Sequence, residues 1–155
     1  MIMPQLSMHT PLGALTLSEL DSAIVAVDWG WGRDQADTAL LAAARDQLHE
    51  YFDGERGAFD LPLRLDRSEY ARSVLAAVQA VPPGQAVIYA ELAARMAGTA
   101  SGVGRVLAAN PLPILIPSHR VVGKAGLGPY PEEAGGREAK RFLLALEKRW
   151  AEGDS

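Results

Sequence analysis

The chain has 155 residues, of which 48% are hydrophobic and 22% are charged, values typical of a soluble globular protein with one well-buried domain or two small ones. It contains no cysteine, which excludes disulfides, thiolate metal sites and cysteine nucleophiles, and its three histidines are too scattered to bind a metal. No apolar stretch approaches the roughly 18 residues that cross a bilayer, and the first residues lack the features of a secretory signal. We therefore expect a cytoplasmic protein without metal, cofactor or membrane contact.

Strand and helix patterns predict a small α/β domain in residues 1–67. The segments GALTLSEL (13–20) and AIVAVDWG (23–30) are rich in alternating or β-branched apolar residues and predict a β-hairpin with its turn at Asp21 and Ser22. A helix is predicted from about Ala36, because apolar residues follow at helical spacing until Asp53-Gly54.

The second half, residues 68–155, is predicted to be mostly helical. Ser68 is a plausible N-cap for a helix through Ala80. The segments YAELAARMAG (89–98), ended by Gly98, and SGVGRVLAAN (101–110) predict two short helices in a helix-turn-helix arrangement. With the hairpin-containing first half, these elements predict an α+β fold of two domains, 1–67 and 68–155.

A terminal helix is predicted from GGREAKRFLLALEKRW (135–150). Its spacing of apolar residues predicts an inner face formed by Phe142, Leu143, Leu146 and Trp150.

Charge also differs between the two halves. Residues 1–67 contain 5 basic and 11 acidic residues, whereas residues 68–155 contain 10 basic and 8 acidic residues. A polyanion such as DNA is repelled by the first half and tolerated by the second. Ordinary solvated surface on both halves is the alternative explanation of these counts.

Two glycines interrupt the second short helix. Gly102 and Gly104 each cost about 1 kcal/mol relative to alanine in a helix interior. Either a ligand approaches this backbone closely, or a neighbouring helix packs against it.

Ser118, His119 and Glu147 could form a hydrolase triad, in which the imidazole is the base and the carboxylate fixes its tautomer. Two observations weigh against it. Adjacent residues on an extended chain point to opposite sides, so Ser118 and His119 are not expected to hydrogen-bond. The G-x-S-x-G turn that exposes a serine nucleophile is also absent.

The segment NPLPILIPSHRVVG (110–123) resembles the active-site signature of the O6-alkylguanine-DNA alkyltransferases, in which Asn-Pro and an apolar run precede Pro-Cys-His-Arg-Val. This chain has Ser118 at the position of the cysteine. The resemblance extends through VPPGQAVIYAELAARMAG (81–98) and GGREAKRFLLALE (135–147), and covers the chain from about Ser68 to Trp150.

In the family that this chain resembles, a helix-turn-helix enters the minor groove of double-stranded DNA, the damaged guanine is flipped into a pocket, and a cysteine thiolate removes its O6-alkyl group. The resemblance implies that His119 and Glu147 are the pair that activates the nucleophile through a water. It also implies that Asn110 bridges the helical motif to the active-site loop. The residues assigned to DNA or lesion binding are Tyr89, Ser101, Gly102, Arg105, Asn110, Pro117, Arg120, Val121 and Tyr130.

The chain departs from the family pattern at two further places. Where the family has an arginine that fills the gap left by the flipped base, this chain has Ser101, and the nearest basic residue is Arg105, about 5.4 Å or one helical turn later. Residues 131–134 lie between Tyr130 and the Gly-Gly pair, where the family has a serine after the tyrosine.

Serine at position 118 predicts a protein that recognises O6-alkylguanine without removing the alkyl group. Displacement at a saturated carbon needs a soft, ionised nucleophile, and a serine hydroxyl does not ionise as a cysteine thiol does. The chain then resembles the alkyltransferase-like proteins, which bind the lesion as monomers and hand it to nucleotide-excision repair proteins. A true alkyltransferase carrying a Cys→Ser change is the alternative within the family, and the Ser-His-Glu hydrolase is the alternative outside it.

Overall fold

The computed structural model describes residues 3–153, and the chain divides into two compact units, Met1–Leu65 and Asp66–Ser155. The first unit is a sheet with one helix and the second is mostly helical, so the α+β fold class is confirmed. No helix within residues 3–153 is long and apolar enough to cross a membrane.

A three-stranded antiparallel sheet forms most of the first unit. Strands β1 (Gln5–Thr10), β2 (Gly13–Leu20) and β3 (Ala23–Trp29) lie in chain order. The predicted hairpin between β2 and β3 is confirmed, and both turn residues, Asp21 and Ser22, have the positive φ that a tight primed turn requires. Strand β1 was not predicted from the sequence.

The helix of the first unit, α1 (Ala39–Phe52), packs against this sheet. It begins three residues after the predicted start, because the Thr38 hydroxyl accepts a hydrogen bond from the backbone N–H of Leu41 at 3.0 Å and so caps the helix. It ends before Asp53, as predicted.

In the second unit, helix α2 (Glu69–Gln79) is capped by Ser68, as predicted. A parallel pair of two-residue strands, β4 (Val87–Ile88) and β5 (Val121–Val122), was not predicted. This pairing connects segments more than thirty residues apart and therefore brings the start of the next helix beside the segment that contains Ser118.

Two short helices follow, α3 (Tyr89–Arg95) and α4 (Ala100–Ala108). Helix α3 ends three residues before Gly98, because Ala97 takes the left-handed conformation with φ +54°. Gly98 takes part in this helix end, since its backbone N–H donates to the Ala93 carbonyl at 2.9 Å. It also allows a close contact, because a Cβ there would lie 2.5 Å from the Tyr70 hydroxyl oxygen. The turn between the helices therefore packs tightly against α2.

The inner face of the terminal helix, α5 (Gly136–Gly153), agrees with the predicted one at Leu143 only. Phe142 is exposed, and Leu146 and Trp150 are only partly buried. Leu143 is buried, as predicted, and the other buried side chains are Ala139, Lys140 and Glu147. The prediction was wrong because it ranked residues by hydrophobicity, whereas two charged residues of this helix find hydrogen-bond partners in the core.

Candidate functional site

The segment that leads to Ser118 is buried and tied in place by one asparagine. Residues 112–117 are all buried. The Asn110 Oδ1 atom accepts a hydrogen bond from the backbone N–H of Leu112 at 2.9 Å. Its Nδ2 atom donates to the carbonyl of Ile116 at 3.0 Å and to the Ser118 hydroxyl oxygen at 3.1 Å. Asn110 therefore connects the end of α4 to Ser118.

Ser118 begins a 3-10 turn, Ser118–Arg120, rather than lying on an extended strand as expected. Even so, its hydroxyl does not hydrogen-bond to His119. The imidazole Nε2 pairs with Glu147, and Nδ1 has no hydrogen-bond partner in the described part of the chain. The serine–histidine hydrogen bond that a Ser-His-Glu hydrolase requires is thus missing.

Behind Ser118 lies a buried ionic cluster of His119, Arg120 and Glu147. His119 Nε2 lies 2.6 Å from Glu147 Oε2. Arg120 makes a two-pronged contact with the same carboxylate, at 2.8 Å through Nε and 2.9 Å through Nη2, and its Nη1 donates to the carbonyl of Val81 at 2.7 Å. All three residues are at most 4% exposed. The cluster therefore lies in the core, and both oxygens of the Glu147 carboxylate have hydrogen-bond partners.

The pKa shifts fix the charges in this cluster. Burial alone would raise the pKa of Glu147, but hydrogen bonds from His119 and Arg120 outweigh it and lower the pKa to about 2. Burial lowers the pKa of His119, against the opposing effect of Glu147. The neutral imidazole therefore donates from Nε2 to Glu147, which leaves Nδ1 as a buried, unpartnered acceptor.

Lys140 is a fully buried residue of the site that the sequence analysis missed. Its ammonium donates to the carbonyls of Val121 at 2.7 Å and Pro129 at 3.1 Å, with Tyr89 Oη at 3.5 Å. Burial lowers its pKa to about 8, with a smaller contribution from Arg137. Lys140 thus ties the loop before Tyr130 to β5 and to the start of α3.

A cavity of about 400 Å³ opens beside Ser118, a volume within the range of small-molecule sites. Helix α4 forms one wall through Gly104, Leu107 and Ala108, and the side chains of Tyr89 and Ser118 contribute the interior. The loop after β5 forms the rest, through Pro129, Tyr130, Pro131 and Glu133.

Tyr130 presents a buried phenol to this cavity. Burial raises its pKa to about 12, with the Ser118 hydroxyl partly opposing the shift. The phenol therefore stays protonated at neutral pH. Its hydroxyl is buried and has no hydrogen-bond partner of normal geometry among residues 3–153.

The predicted contacts on α4 lie on the surface beside the cavity. Ser101 and Arg105 are exposed and one helical turn apart on the same helix. A Cβ on Gly102 would lie 3.1 Å from the Thr99 hydroxyl oxygen, so close packing accounts for this glycine. A Cβ on Gly104 would meet nothing within 4 Å, so packing does not account for that one.

Three other predicted residues are not among those that line the cavity. Pro117 and Val121 are buried beside it and shape the chain on either side of the turn. Arg120 was assigned to lesion binding, but the structure places it in the core, because its Nε, Nη1 and Nη2 atoms are all directed at Glu147 and Val81.

Two family models match the chain. The DNA binding domain of 6-O-methylguanine DNA methyltransferase matches residues 69–149, and the ribonuclease-like domain of the same family matches residues 6–65. The chain belongs to the 6-O-methylguanine DNA methyltransferase family. It is thus a member of a DNA-repair family with a DNA-binding domain.

Several members of this family are similar to the chain over most of its length. The constitutive methylated-DNA–protein-cysteine methyltransferase of Bacillus subtilis is 36% identical over 90% of this chain and 92% of that protein. The crystal structure of Mycobacterium tuberculosis OGT in complex with DNA matches with a TM-score of 0.84 at 33% identity, covering 94% of this chain and 93% of that one. A methyltransferase of Archaeoglobus fulgidus is 39% identical over 65% of this chain and 71% of that protein.

One difference from these relatives concerns the chemistry. Their name specifies a protein cysteine, whereas this chain contains none. The cavity is lined by Ser118, which carries a hydroxyl. Ser118 lies on the same turn as His119, whose imidazole pairs with the Glu147 carboxylate.

Proposed function

We propose that this protein binds O6-alkylguanine in double-stranded DNA and does not remove the alkyl group, acting as a reversible lesion sensor. The observation that carries the proposal is Ser118 at the cavity wall of a chain without cysteine. A cysteine thiol, with a pKa of about 8.5, forms a thiolate readily, whereas a serine hydroxyl does not. A general base activates serine toward carbonyl carbon with the help of an oxyanion hole, but alkyl transfer has no tetrahedral intermediate to stabilise.

In this proposal α4 enters the minor groove and the alkylated guanine is flipped into the cavity. Support comes from the cavity itself, which lies directly beside α4 and is lined by two tyrosines and two prolines that suit a flat base. Ser118, Tyr89 and Tyr130 also line the cavity, so hydroxyl-bearing side chains as well as apolar ones surround a bound base.

The bound lesion would then be passed to nucleotide-excision repair proteins, since a protein that does not remove the alkyl group leaves the damage in place. A true methyltransferase carrying a Cys→Ser change is the second candidate. It is favoured by the His119–Glu147 pair and the Asn110 contact with Ser118, which are arranged as an activating set would be.

Binding and chemistry are tested together with one duplex that carries a single O6-methylguanine and a matched duplex with guanine. We expect preferential binding to the lesion in a gel-shift assay and no change in the intact mass of the protein after incubation. Equal binding to the two duplexes would contradict lesion recognition, and a mass increase of one methyl group would contradict the absence of transfer.

Gly104→Ala tests whether a base occupies the cavity beside α4. The new methyl group meets nothing in the free protein, and alanine favours the helix by about 1 kcal/mol, so thermal stability should rise slightly. Because the added methyl group takes up space in the cavity, affinity for the lesion duplex should fall about tenfold. Gly126→Ala is the matched control, since its Cβ also meets nothing and it lies outside the cavity. Unchanged lesion affinity in Gly104→Ala would show that the alkylated guanine does not occupy the cavity beside α4.

Arg105→Ala tests the exposed face of α4. If Arg105 enters the groove, its removal should weaken lesion binding by about tenfold, because a groove contact is lost. Arg149→Ala removes the same charge from an exposed site on α5 and should change binding little. Fluorescence anisotropy with the lesion duplex measures both variants. Equal losses would show only a general charge effect.

A further inference from the structure

Residues 131–134 form an ordered rim on the cavity. Residues Glu132–Ala134 make a 3-10 turn, closed by hydrogen bonds to the carbonyl of Pro131 from Ala134 at 3.0 Å and from Gly136 at 2.9 Å. Ala134 is buried beneath the turn. The turn therefore holds Glu133 at the cavity wall while leaving its side chain exposed.

Glu133 is the one formally charged residue among those that line the cavity. Its neighbour Glu132 does not line the cavity. The Glu132 carboxylate lies beside Gly136 at the N-terminal end of α5, where negative charge is favoured. Glu133 makes no hydrogen bond or ion pair with any described residue. The buried Lys140 ammonium does not neutralise it, because that group is directed at backbone carbonyls and Tyr89.

We infer that Glu133 selects lesions by the charge of the O6 substituent, so that the cavity accepts neutral or cationic substituents and disfavours anionic ones such as carboxymethyl. The inference rests on the proposed function. Ser118, which is 4% exposed, marks the inner end of the cavity, and Glu133 marks its rim. A substituent longer than methyl reaches further along the cavity, and where it extends toward the rim a carboxylate on the ligand comes close to the Glu133 carboxylate and is repelled by it.

Two nearly isosteric lesions test the inference. Duplexes carrying O6-carbamoylmethylguanine and O6-carboxymethylguanine differ by one negative charge at the end of the substituent. The unchanged protein should bind the neutral lesion about fivefold more tightly, as expected for a like-charge contact at a partly exposed site. Glu133→Gln keeps the size of the side chain and should bring the ratio of the two affinities close to one.

Glu138→Gln is the control, because it removes the same charge from an exposed site on α5 outside the cavity. It should strengthen DNA binding generally and keep the fivefold ratio. A ratio that is unchanged in Glu133→Gln, or that is lost equally in Glu138→Gln, would overturn the inference.

A third duplex, with O6-methylguanine, separates this result from the proposed function. If the protein prefers O6-methylguanine over guanine, but Glu133→Gln leaves the ratio of the carbamoylmethyl and carboxymethyl affinities unchanged, only the role of Glu133 is refuted. Failure to prefer O6-methylguanine would remove both proposals.

Discussion

A Ser118→Cys variant is expected to acquire one methyl group per chain from O6-methylguanine DNA, whereas the unchanged protein acquires none. The sulfur supplies the soft nucleophile. The neutral His119 imidazole is the base: its Nε2 atom pairs with Glu147, and its Nδ1 atom has no hydrogen-bond partner among the described residues. In the reaction His119 takes up the thiol proton, the thiolate attacks the methyl carbon, and an S–C bond forms as the C–O6 bond breaks. The guanine anion that leaves takes up one proton on its ring, which balances the proton lost by the thiol. Intact-mass spectrometry counts the transferred groups directly.

The control for this variant is Ser73→Cys, which places a thiol on the exposed surface of α2 and should acquire no methyl group. The rate adds a second result. Fast transfer would indicate that serine alone silences the protein, and slow transfer would indicate that Ser101 and the rim at residues 131–134 also reduce base flipping. A variant that binds the lesion but never gains the methyl group would show that position 118 does not reach the target carbon.

Arg120→Met is expected to lower the free energy of unfolding by about 3–5 kcal/mol, because it removes the guanidinium that pairs with the buried Glu147 carboxylate. Urea-induced unfolding measures the loss. Arg149→Met, at an exposed site, should stay within about 0.5 kcal/mol. If Arg120→Met costs no more than this control, the buried pair does not stabilise the fold.

The pH dependence of stability gives the same pair an independent test. The folded pKa of Glu147, about 2, lies below its usual value of 4.5. Its pairing therefore stabilises the fold above about pH 4.5, and this stabilisation is lost as the pH falls toward 2. In Arg120→Met the folded pKa should move back toward the usual value, so the slope of stability against pH in this window should decrease.

Features that depend on local sequence could be predicted. Ser68 caps α2 because its hydroxyl reaches a backbone N–H three residues away, and Asp21-Ser22 forms a hairpin turn because both residues tolerate positive φ. The resemblance named His119 and Glu147 as a pair, and they lie 2.6 Å apart. Their catalytic role stays a prediction.

Features that depend on contacts distant in sequence were missed. Strands β4 and β5 have two residues each and carry no periodic pattern, so only their pairing defines them. Lys140 is stabilised by carbonyls 19 and 11 positions away, which no local pattern reveals. The burial of Arg120 was missed for the same reason, since its partner Glu147 lies 27 positions later.

Lys140 and Glu147 are seven positions apart on α5, which places them on one face about 10.5 Å apart. Lys140 binds β5 and the loop before Tyr130, and Glu147 binds the turn that carries Ser118. The cavity is therefore held in one shape. Neither the loop nor the turn can move away unless α5 detaches, which would leave a buried charge unpaired. Amide protons of this turn should exchange with solvent only when the whole second unit unfolds. In the proposed function, a cavity that keeps its shape leaves the cost of base extrusion to the DNA, so lesions whose bases leave the helix easily would be found fastest.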